Sequence, residues 1–191
     1  MSGGQKRWNE SAMRVLGLAG WSGAGKTPLL RRLLPALTAQ GLRVSTVKHA
    51  HHSFDIDMPG KDSWEHRAAG AAEVMVASAR RWALMHELRD EAEPRLPELL
   101  AQMTRVDLVI VEGFKRESHP KIEVFREANG KPLLHPGDPS IVAILTDATL
   151  PGLKISCHQL DDVAGIADAA WRYAVPLDEI VWRAPAGDPV S

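Results

Sequence analysis

Cysteine is nearly missing from this chain. Cys157 is the only one, so no intrachain disulfide can form, which suits a reducing compartment. Long apolar runs are missing as well. No stretch approaches the ~18 residues a membrane helix needs, and the opening MSGGQKRWNES has no apolar centre of the signal-peptide kind. A soluble protein of the cytoplasm is expected. Excess charge of either sign is also lacking: 23 Lys and Arg stand against 24 Asp and Glu, for a formal charge of -1. Such a balance offers no general field to attract nucleic acid or an anionic membrane. No repeat of solenoid period is found. What remains is a chain of 191 residues, 45% hydrophobic, typical of one domain of good size with a core on both faces of a sheet.

Against this background one motif stands out. Residues 20–27 read GWSGAGKT, which fits G-x-x-x-x-G-K-[ST], the phosphate-cradling loop of P-loop proteins. At an average glycine usage of about 7%, a chance match in a chain this long has a probability on the order of one per cent. Glycines let consecutive N–H groups converge on an anion where Cβ atoms would obstruct. Gly20, Trp21, Ser22, Gly23, Ala24, Gly25, Lys26 and Thr27 are therefore the candidate nucleotide-binding residues. Lys26 would place its charge on the terminal phosphates, and the Thr27 hydroxyl would ligate Mg²⁺. The setting agrees: the apolar run Val15–Ala19 precedes the loop, and Leu29, Leu30, Leu33, Leu34 and Leu37 follow at helical spacing. Pro28 falls in the first helical turn, where no hydrogen bond is lost, although it disfavours the helical conformation at Thr27. Trp21 excludes the variant loop that carries an extra lysine at that position.

Further elements follow from pattern. Strands are expected over 42–47, 73–78, 81–86, 106–111, 122–125 and 141–145. Helices are expected from an N-cap at Ser63 to Ala71, over 94–103, and after an Asp161 cap. Alternation of this kind gives an α/β fold, a P-loop NTPase three-layer architecture around a mainly parallel sheet, with an inserted β-hairpin. The organisation reads as a flexible N-terminus at 1–11, a nucleotide-binding domain at 12–175 and a tail at 176–191. Ligands of such sheets sit beyond the carboxyl ends of strands. The glycine loop, the Lys48 loop and the Glu112 turn should share that edge.

Glu112 ends the apolar strand VDLVIV and is the second candidate metal ligand beside Thr27. An acidic residue delivered beside the loop is how P-loop proteins hold magnesium. The catalytic candidates are Lys26, Glu112 and Asp62. Asp62 could serve magnesium or the attacking water, or could simply cap a helix. His49, His51 and His52, with Asp55 and Asp57, lie in one ten-residue stretch and could ligate a transition metal or act as polar loop residues. Lys115 and Arg116 could neutralise phosphate or meet a partner. Asp147 could accept from guanine, although no Asn/Thr-Lys-x-Asp pattern accompanies it.

Assembled in order, GWSGAGKT, KHAHHSFDIDMPGKDSWEHRAAGA, RWALMHE, VDLVIVEGFK, PKIEVFR and VAILTD resemble the molybdopterin-guanine dinucleotide biosynthesis protein B (MobB) family over about residues 14–147. The resemblance implies a homodimer that binds GTP with Mg²⁺ and hydrolyses it slowly. It also implies an accessory role beside a separate nucleotidyltransferase when GMP is attached to molybdopterin, with molybdopterin itself a further possible ligand. Two other readings of the residues remain open: a small-molecule P-loop kinase with Asp62 as its base, and a metal-delivery GTPase using the histidine loop.

Overall fold

The computed structural model describes residues 12–50 and 54–183. The N-terminus 1–11, His51, His52 and the tail from 184 onward, for which mobility or metal binding was expected, lie outside the described residues. The chain divides into two compact units, one of residues 1–49 and 103–191, the other of residues 50–102.

The first unit opens with β1 (Arg14–Ala19), the glycine loop, and α1 (Lys26–Ala39). Leu29, Leu33 and Leu37 recur every four residues and are the buried stripe of α1. Pro28 is the third residue of this helix, where its missing N–H costs no helical bond. Gly41 ends the helix in the left-handed region, φ 88°, as a C′ glycine does. β2 (Val44–Lys48) follows.

The second unit holds α2 (Asp62–Ala68), the hairpin of β3 (Glu73–Ala77) and β4 (Trp82–His86), and α3 (Leu96–Ala101). The expected N-cap at Ser63 is corrected to Lys61. Ser63 instead stands inside the helix and donates its hydroxyl to Asp57 Oδ1 at 2.9 Å. Met75 faces Leu84 and Ala77 faces Trp82 across the hairpin.

The chain then returns to the first unit for β5 (Leu108–Glu112), β6 (Lys121–Phe125), β7 (Ile141–Thr146), β8 (Ser156–Gln159), α4 (Val163–Tyr173) and β9 (Val175–Pro176). The cap of α4 is Asp162, not Asp161, its carboxylate accepting from Gly165 N–H at 2.9 Å. The sheet order is β2-β5-β1-β6-β7-β8, all parallel, with β9 antiparallel to β1. Because β6 joins β1 only from Gly17 onward, β9 takes the remaining edge beside Arg14 and Val15.

One sheet face presents Leu16, Leu18, Leu108, Ile110, Ile122, Val124, Ala143 and Leu145, and α1 and α4 pack on it. Nearly complete apolar burial along β5 is what a parallel strand covered on both sides requires. The other face carries Val15, Val109, Val111 and Ile144, but also the buried polar residues Lys121 and Glu123.

Candidate functional site

Glycines make the loop after β1 possible. Gly20, Gly23 and Gly25 have φ of 143°, 82° and 93°, a region that side chains with a Cβ rarely adopt. Gly25 is also the N-cap of α1, and no side chain caps that helix end. The first N–H groups of a helix have no partner within it. Together with the helix dipole they form an anion-binding end. Lys26 follows at once, and its Nζ donates to the carbonyls of Gly20 at 2.8 Å and Trp21 at 3.1 Å. Partial burial pulls the Lys26 ammonium below its ordinary pKa. Glu112 pushes it up, while Lys115 and Lys48 push it down. A phosphate placed beside this ammonium would restore the anionic charge that it lacks, so the residues present fit a nucleotide's phosphates.

Strand register brings the expected second components to the same edge. Glu112 pairs with Leu18 on one side and with Lys48 on the other. Past Glu112 the chain turns through two left-handed residues, Gly113 at φ 92° and Phe114 at φ 47°. Glycine is required at the first, because a Cβ there would stand 2.6 Å from His49 Cβ. His49 is bound into this turn, its N–H donating to Glu112 O at 2.8 Å and its ring 4.8 Å from that of Phe114. The donor set of Thr27 hydroxyl and Glu112 carboxylate is hard oxygen, which suits Mg²⁺.

The segment between β6 and β7, to which the sequence assigned no role, contacts the loop. Glu123 is fully buried and accepts the N–H groups of Leu134 at 2.7 Å and His135 at 2.9 Å. Its two oxygens thereby fix the chain around residue 134. Upstream of that anchor, Pro132 O accepts from Trp21 Nε1 at 2.8 Å, and Asn129 Nδ2 donates to Ser22 O at 3.2 Å. Lys115 Nζ lies 5.9 Å from the centre of the Trp21 ring, a cation–π distance. Trp21 is thus held within the protein's own contacts at the loop.

The remaining candidates are placed as follows. Asp62 belongs to the second unit, where it opens α2. Asp55 and Asp57, read as possible metal ligands, are ion-paired to Arg67 at 2.8 and 3.5 Å, and Glu87 joins the same guanidinium at 2.8 Å. Among the described residues no group of three or more His, Cys, Asp or Glu side chains is placed to hold a metal ion. Asp147 directly follows β7 and pairs with Arg126 at 2.9 Å. Away from the loop, His119 and Lys121 form a buried polar pair that the sequence did not announce. Lys121 Nζ donates to Glu117 O at 2.6 Å and Ser140 Oγ at 2.5 Å and lies 3.4 Å from Asp138. Neither ring nitrogen of His119 has a hydrogen-bond partner, and burial drives its pKa down to about 3, with Lys121 adding to the shift.

A parallel α/β sheet with an uncapped helix behind a glycine loop, a lysine on that loop and an acidic strand end in register defines the class: a P-loop nucleotide-binding fold. Comparison with known proteins narrows this. Residues 15–147 match the family described as molybdopterin guanine dinucleotide synthesis protein B, MobB. The chain is 46% identical over 157 residues to the Escherichia coli K12 molybdopterin-guanine dinucleotide biosynthesis adapter protein, covering 81% of this chain and 89% of that one. It is 47% identical over 122 residues to the adapter protein of the same name from Haemophilus influenzae, covering 62% and 67%. Among solved structures it superposes on a molybdopterin-guanine biosynthesis protein B (mobB) with a TM-score of 0.63, 28% identity, and coverage of 81% and 96%. A MobB homologue from Bacillus stearothermophilus gives 0.60, 25%, and coverage of 82% and 97%. The chain belongs to the MobB family.

Proposed function

We propose that this protein is a GTP-binding adapter in the formation of molybdopterin guanine dinucleotide. The carrying observation is the uncapped, glycine-entered end of α1 with Lys26 beside it, in a chain 46% identical to a relative named a molybdopterin-guanine dinucleotide biosynthesis adapter protein. The amides of residues 23–27 hold phosphate, and Lys26 exchanges the Gly20 and Trp21 carbonyls for phosphate oxygens. Thr27 and Glu112 hold Mg²⁺, which supplies Lewis-acid stabilisation of the phosphate oxygens when bound.

Hydrolysis on such a site is slow. Lys26 stabilises charge developing on the terminal phosphate. The protein acts in the cytoplasm beside a molybdenum cofactor nucleotidyltransferase. It presents nucleotide to that enzyme as a homodimer, with molybdopterin a further ligand of the pair. Among the described residues no helix is long and apolar enough to cross a membrane.

The test uses the purified chain as bait in a cell extract. Co-elution of a molybdenum cofactor nucleotidyltransferase, strengthened by added GTP and Mg²⁺, is the predicted result. Retention of no such enzyme under either condition would contradict the adapter role.

A further inference from the structure

Arg126 follows directly on β6, and its side chain lies over the last glycine of the phosphate loop. A methyl group built on Gly25 would stand 2.9 Å from Arg126 Nε and 3.6 Å from Nη2. The far corner of the same guanidinium, Nη1, is held by Asp147 Oδ2 at 2.9 Å. The ion pair therefore fixes the plane of the group and leaves the Nε–Nη2 edge turned toward the loop. That edge carries two parallel N–H groups, the fork that meets a phosphate bidentately. Its backbone is held from both directions, by β6 before it and by the Asn129–Ser22 and Trp21–Pro132 contacts after it. A cation fixed in this way loses little side-chain freedom when a ligand arrives.

Position also says which phosphate. The amides at the end of a P-loop cradle the α- and β-phosphates, whereas the lysine reaches the β and γ groups. Arg126 sits at Gly25, on the first side of that division. We propose that Arg126 is a phosphate ligand of the bound nucleotide, its Nε–Nη2 edge meeting the diphosphate while Asp147 keeps hold of Nη1. This rests on the nucleotide-binding reading above. It adds to that reading a cation just past the end of β6, outside the glycine loop, that does not discriminate between a nucleoside diphosphate and a triphosphate.

Calorimetric titration of the full chain with Mg-GDP and Mg-GTP tests this, using the wild type, Arg126→Ala, Arg126→Lys and Lys26→Ala. Loss of one charge-assisted contact predicts that Arg126→Ala weakens both nucleotides about tenfold to a hundredfold, by a similar factor. The salt dependence of binding should fall in the same variant, and Arg126→Lys should recover part of the affinity because it keeps the charge without the fork. Thermal unfolding of Arg126→Ala without nucleotide separates a folding defect from a lost contact. Affinities within twofold of wild type, or a loss confined to GTP, would overturn the assignment while leaving the nucleotide site standing. Unchanged binding in Lys26→Ala would overturn the nucleotide site itself, and Arg126 with it.

Discussion

Lys26 is the residue on which the site turns, and its surroundings show why it should be dispensable for folding. Its ammonium hydrogen-bonds to carbonyls of its own loop, and burial already disfavours its charge. Lys26→Ala should therefore lower GTP affinity by about a hundredfold or more, with a thermal midpoint near that of the wild type. Calorimetry and thermal unfolding of one preparation check both halves. Gly113 predicts the opposite combination. Alanine there must hold φ near 92° with its Cβ 2.6 Å from His49. Left-handed strain and overpacking add to about 2–5 kcal/mol of lost stability, read from urea unfolding. Both positions stand out in the sequence, as GKT and as the glycine after a strand-ending glutamate. Arg126 did not: nothing in VFREANG marks an arginine whose role comes from a neighbouring strand.

At the level of elements, legibility followed periodicity. The leucine stripe of α1 and the apolar run of β5 were readable because both bury a continuous surface. β8 was not, since Ser156–Gln159 is a polar edge strand with no apolar alternation. Nor was β9, whose place depends on where β6 begins. The segment HPKIE, which leads into and opens β6, hid most. It buries His119, Lys121 and Glu123, three residues that polarity would assign to the surface.

His119 carries a pH prediction with a definite sign. Its folded pKa of about 3 lies below the ordinary value of 6.5, so the unfolded chain binds the proton first. Stability should be unaffected by this residue above pH 6.5 and fall as the pH drops from there toward 3, at up to about 1.4 kcal/mol per pH unit. Urea unfolding across that range should show a shallower decline in His119→Leu than in the wild type. Equal slopes would place the acid sensitivity elsewhere.

For the whole molecule the remaining question is assembly. On one side of the hairpin Met75, Ala77, Trp82 and Leu84 share a face by register, and Met75, Trp82 and Leu84 are exposed at 61%, 63% and 44%. A face this apolar is costly to leave in water and marks an interaction surface. The dimer proposed above would bury it. Sedimentation of the wild type should give a dimer, and Met75→Glu with Trp82→Glu a monomer that still binds GTP. A monomeric wild type at micromolar concentration would contradict a hairpin-mediated homodimer.

In the proposed site the triphosphate with its magnesium is received by the backbone between β1 and α1. A crystal structure of the chain with Mg²⁺ and a non-hydrolysable GTP analogue tests it most directly. Phosphate oxygens should lie on the amides of residues 23–27, with Lys26 Nζ moved from the Gly20 and Trp21 carbonyls onto them. Density for the triphosphate at any other place, with Lys26 still bonded to its own loop, would contradict it.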